Sequence, residues 1–144
     1  HNADKMDQIQ VLPTSAKPFM PHRPPIAMVE MIHQAGPVNI LSAVIHPDNR
    51  FLNSEGILDR SVIPELVAQA GAAMDSFHYD GRVQPGFLAI GHAIRFSQDI
   101  HVGDEIFISY SSENVFGGWH LLNFKIKNQH DVLCAQGEVN VCVV

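Results

Sequence analysis

The chain is poor in cysteine, in aromatic residues other than phenylalanine and in positive charge. It has two cysteines, one tryptophan and two tyrosines, and nine lysines and arginines stand against fifteen acidic residues. Two cysteines cannot build a disulfide framework. Cys134 and Cys142 sit in one strand-like segment, where about 3.3 Å per residue holds them too far apart to bond each other. They read as buried thiols of a reducing compartment, with an intersubunit bridge or a reactive thiol as the alternative. The net charge of −6 argues against nucleic acid and anionic membrane surfaces as partners. No apolar run approaches the roughly 20 residues that span a bilayer. The polar start, His1 to Lys5, lacks the apolar core of a signal peptide, so a cytoplasmic location is expected.

Several chemistries are missing too. The nine histidines show no H-E-x-x-H or other ligand spacing, so no metal is expected. There is no G-x-S-x-G elbow, P-loop or G-x-G-x-x-G, so no cofactor is expected either. Gly117-Gly118 reads as a hairpin turn.

What is present is a globular composition. Hydrophobic residues make up 46% and charged residues 17% of 144 positions, enough for one domain with a sizeable core. Residues 1–144 are read as that domain, with 1–5 a disordered tail or remnant outside it. Residues 6–25 are a Pro-rich lead-in, with a short helical turn over Met6–Val11 before Pro13. Strands are expected over Ile26–Ile32 and Val38–His46. A loop follows over residues 50–60. Four further strands are expected over Gly86–Phe96, Glu105–Ser112, Trp119–Lys127 and Val132–Val143, separated by Gly-Asp, Gly-Gly and polar turns.

Between the loop and those four strands lies a helix that is apolar nearly all round, starting Ser61-Val-Ile-Pro-Glu-Leu-Val-Ala-Gln-Ala-Gly. Asp59 or Ser61 can cap it, and Pro64 is tolerated only in its first turn. Such a helix must be wrapped by the rest of the protein. The expected class is α+β, an antiparallel sheet of about five or six strands curved around one helix. Glu65 and Gln69 lie four residues apart and share a face. A buried carboxylate is costly unless paired, hydrogen-bonded or protonated. Glu65 is therefore a candidate acid–base group. The plain alternative is that it pairs with Arg95, Arg50 or Arg60 and only fixes an interface. Gln69 is a candidate supporting residue, or it satisfies a buried backbone group.

Several fragments resemble one family. Pro21-His22-Arg23-Pro24-Pro25 with Ile26-Ala27-Met28-Val29-Glu30, Glu65-x-x-Ala68-Gln69-Ala70-Gly71, Ile94-Arg95-Phe96 with Val102-Gly103-Asp104, and Ala135-Gln136-Gly137-Glu138-Val139 look like the beta-hydroxyacyl-acyl-carrier-protein dehydratases of fatty-acid synthesis. The resemblance implies a hotdog fold, a homodimer or a mixed dimer with another hotdog protein, and an acyl carrier protein or coenzyme A thioester as partner. It places Glu65 as the helix carboxylate that works on the 3-hydroxyl, with Gln69 beside it. It also implies a substrate tunnel beside the helix, with Phe87, Leu88 and His92 as candidate lining residues. The family's histidine lies in a G-H-F-P-G segment before the helix. Here residues 49–60 contain no histidine, as in a divergent branch of predicted dehydratases that this pattern resembles. His22 and His46 are the candidates to replace it, each with a plain structural role as the alternative. The expectation is a 3-hydroxyacyl thioester dehydratase-like protein. A non-catalytic subunit that complements an active dehydratase and a hotdog acyl thioesterase are the alternatives.

Overall fold

A computed structural model describes residues 11–19, 28–78 and 87–143. His22, the Pro-His-Arg segment around it and most of the expected Met6–Val11 turn lie outside the described residues.

Seven strands form one antiparallel sheet: β1 (Thr14–Ser15), β2 (Met31–Gln34), β3 (Asn39–Val44), β4 (Phe87–Phe96), β5 (Glu105–Phe116), β6 (Trp119–Lys127) and β7 (Leu133–Val143). Their order across the sheet is β1-β2-β3-β5-β6-β7-β4. One α-helix, α1 (Ile63–His78), separates the first three strands from the rest. The class is as expected, with β1 as an additional two-residue edge. The turn at Gly117-Gly118 has φ of 58° and 86°, the backbone that a two-residue hairpin joining β5 to β6 requires.

Cross-strand pairs set one face of the sheet against α1. Leu41 opposite Ile108, Ile108 opposite Ile126 and Ile126 opposite Ala135 form one row. Every member of that row is buried to 0% exposure, as are Leu66, Val67, Ala70 and Ala73 of α1. The small residues of α1 let it approach closely: a Cβ on Gly71 would meet Leu122 Cδ1 at 3.0 Å. The helix begins through a 3-10 turn, Arg60–Val62, capped by Asp59, whose carboxylate accepts the Ser61 N–H at 2.9 Å. That hydrogen bond, with one from the Ser61 side chain, holds the Asp59 carboxyl below its usual range.

The sheet bends where β4 carries an extra residue against β7. His92 opposes Glu138 and Arg95 opposes Gln136, so Ala93 and Ile94 face Gly137 alone. Ala93 has φ of 51° and Gly137 φ of 157°. A Cβ on Gly137 would lie 2.7 Å from Ile94 Cα and 2.9 Å from the Ala93 carbonyl. Glycine is the residue that fits there. Cys134 is buried and Cys142 half-buried, and neither forms a disulfide among the described residues. Burial pushes the Cys134 thiol up.

Candidate functional site

The start of α1 carries the expected pair. Glu65 falls in the first turn and is half-buried, where the unsatisfied N–H groups of the helix favour a carboxylate. Gln69, one turn on, is fully buried. Its Oε1 accepts the Met28 N–H at 3.0 Å, so this side chain does satisfy a buried backbone group. The same bond ties the chain ahead of β2 to the helix face that bears Glu65.

The loop before α1 is fixed by its own hydrogen bonds. Asn53 Oδ1 accepts from the N–H groups of Glu55 and Ile57. Leu52 bridges Leu58, and Ile57 bridges His101. Beside this loop runs an open groove of about 630 Å³ lined by Arg50, Phe51, Asn53, Arg60 and Asp99 among others. Arg60 bonds Asp99 at 3.1 Å and lies 4.9 Å from the centre of the Phe96 ring. Its guanidinium is thus directed to the β4 end rather than to Glu65.

The other named residues are placed as follows. His46 follows β3 and is exposed. Its Nε2 lies 3.1 Å from Glu30 Oε2, and Glu30 Oε1 accepts the Val44 N–H. Phe87, Ala89 and Gly91 occupy the helix-facing side of β4, where a Cβ on Gly91 would meet Pro64 at 3.0 Å. Leu88 and His92 alternate with them onto the outer side and are exposed. Of the three suggested tunnel residues, Phe87 alone lines the cavity described next.

No sequence pattern signals that cavity. It encloses about 220 Å³ at the far end of α1 and is lined by Met74, Leu122, Phe87 and a set of polar side chains. Asn39 and Tyr110, opposite each other on β3 and β5, are buried within it, and the Asn39 side chain hydrogen-bonds the Tyr110 hydroxyl. Burial, and then the charge of Asp75, push the Tyr110 hydroxyl well above its usual range. Asp75 and His78 come from α1 and His120 from β6. Asp75 is exposed at the mouth, yet enough protein surrounds it that lost hydration raises its pKa, against the opposing pull of His120 and His78. The spacing of Asp75 and His78 was a legible helical neighbour pair. Nothing in the sequence signalled that His120 would join them.

Among the described residues no cluster of histidine, cysteine and carboxylate groups could hold a metal ion, and no helix is long and apolar enough to cross a membrane.

The sequence matches the profile of a family described as ApeP-like, ApeP dehydratase, over residues 14–144. No curated protein matches it. Among solved structures the chain is similar to the dehydratase heterocomplex ApeI:P from Xenorhabdus doucetiae, with 17% identity, a TM-score of 0.80, and coverage of 94% of this chain and 93% of that one. It is also similar to smu.793 from Streptococcus mutans bound to acetyl CoA, with 15% identity, a TM-score of 0.57, and coverage of 95% and 94%. A third likeness is to zebra fish thioesterase superfamily member 2, with 17% identity, a TM-score of 0.58, and coverage of 81% and 80%. At these identities the likeness is one of fold. An antiparallel sheet wrapped on a single long helix is the hotdog arrangement.

Proposed function

The chain belongs to the ApeP-like dehydratase family, and from that premise we propose that it contributes the carboxylate half of a 3-hydroxyacyl thioester dehydratase site. The observation that carries this reading is Glu65 in the first turn of α1, held beside a loop, residues 49–60, that contains no histidine. A second hotdog chain supplies the missing base. Its imidazole removes the proton next to the thioester carbonyl. Glu65 passes a proton to the 3-hydroxyl, which leaves as water while the 2,3 double bond forms. The proton taken by the imidazole then returns to Glu65 through solvent.

Two features support pairing with a second hotdog chain. A relative of the same fold is described as a dehydratase heterocomplex. In this chain β4 ends the sheet, with Leu88 53% and Ile90 56% exposed on its outer side, an edge to which a second sheet can add. The acyl group enters as a carrier-protein or coenzyme A thioester of fatty-acid-type synthesis in the cytoplasm.

The experiment is a thioester assay. The purified chain, alone and with a hotdog dehydratase from the same cell, is given 3-hydroxyacyl thioesters on coenzyme A and on acyl carrier protein. The expected result is 2-enoyl product from the mixture and none from this chain alone, with Glu65→Gln abolishing turnover. Full activity with Glu65→Gln would reduce this chain to a non-catalytic subunit. Turnover by the chain alone that stops with His46→Ala would make the base its own. Release of free thiol in place of enoyl product would mark a thioesterase.

A further inference from the structure

The cavity at the end of α1 is separate from the Glu65 site. Asp75 lies ten residues beyond Glu65 on the same helix, about 15 Å along its axis. Its inner wall is apolar and buried, formed by Met74 and Leu122 over the Asn39–Tyr110 pair. At about 220 Å³ it exceeds the roughly 150 Å³ that suffices for a benzene-sized guest.

The mouth has a different chemistry. Asp75, His78, Ser112 and His120 line it. Three elements bring them together: α1, β5 and β6. Ser112 faces α1 because it opposes the buried Leu122. None of these four side chains makes a hydrogen bond to another described residue. Among the described residues no lysine or arginine lines the cavity. An anionic guest would therefore meet the Asp75 carboxylate with no fixed cation to balance it. A permanent cation would offer no acceptor to the imidazole N–H groups. A hydroxyl meets neither difficulty: it donates to a carboxylate and accepts from an imidazole N–H.

We propose that this cavity binds an apolar molecule carrying a hydroxyl group, its body between Met74 and Leu122 and its hydroxyl held at the mouth by Asp75 and His120. The hydroxyl site at Asp75 and His120 is distinct from Glu65, although Phe87 in the cavity wall is also a candidate lining residue of the acyl tunnel.

The test uses two isomers, 1-hexanol and butyl ethyl ether. They share one formula, but the ether cannot donate a hydrogen bond. Each is titrated into the full-length protein, in complex with its partner if that is the form isolated, while the histidine ring signals are followed by NMR. The alcohol should move the His78 and His120 signals and bind about tenfold or more tightly than the ether, the value of one hydrogen bond to a charged group. Asp75→Ala should bring the alcohol down to the affinity of the ether. Ser112→Phe, a change at an exposed rim position, should weaken both ligands by narrowing the mouth. Circular dichroism establishes that both variants fold. Equal affinities for the two isomers, unmoved His78 and His120 signals, or an alcohol preference that survives Asp75→Ala would overturn the proposal. Each of these results leaves the thioester assay of Glu65 untouched.

Discussion

Gln69 Oε1 accepts the Met28 N–H at 3.0 Å, joining residues on α1 and on the chain ahead of β2. Met28 is itself buried, at 7% exposure, so no solvent stands ready to replace the amide. Gln69→Leu keeps the apolar bulk and removes the acceptor. It should lower stability by about 1–3 kcal/mol, the cost of a buried donor left without a partner. A urea titration of the two proteins, compared at equal m value, measures it.

Gly137 faces the two-residue bulge of β4 with a φ that other residues rarely adopt. Gly137→Ala sets a methyl against Ile94 Cα and the Ala93 carbonyl, both backbone. The expected loss exceeds about 1 kcal/mol, with the bulge forced out of register. Thermal unfolding gives the first figure, and amide exchange along β4 and β7 reports the second.

Asp75 makes stability fall as pH rises. Its folded pKa lies above 3.8, so the folded chain holds this proton more tightly than the unfolded chain. The resulting stabilisation is complete below 3.8 and is lost as pH climbs through the folded value. Asp75→Asn cannot ionise. Its unfolding midpoint should exceed that of the parent at about pH 7 and the gap should close near about pH 3.5.

Asp59 has the opposite sign. Its carboxyl is held below 3.8 by the Ser61 backbone and hydroxyl. The stabilisation is present above 3.8 and disappears as pH falls through the lower, folded value. Asp59→Ala should melt earlier than the parent at neutral pH and at nearly the same temperature in strong acid. Thermal scans across that range decide it.

The strand β6 runs from Trp119 to Lys127, the bounds that its flanking turns imply. Its burial alternates in step with its sequence, and Gly117-Gly118 leaves little freedom over where it starts. β2 begins at Met31, later than the apolar run from Ile26 implies. Apolar residues do not by themselves make a ladder: Met28 bonds a side chain of α1, and the pairing with β3 starts only at Met31. β5 continues to Phe116, past the expected end at Ser112, because hairpin pairing with β6 carries the polar Glu113 and Asn114 into the ladder. The carboxylate on α1 was legible because helical spacing is local. The meeting of Asp75 with His120 was not, since it depends on the register of three strands and on which end of the sheet α1 reaches.

The terminal position of β4 bears on how the cell must supply this protein. A ten-residue edge strand with Leu88 and Ile90 exposed on its outer face is a template for any extended chain that meets it. Copies whose β4 edge stays uncovered would be drawn into indiscriminate strand addition rather than held in reserve. Keeping that edge covered is then a requirement of the fold, whichever chain covers it.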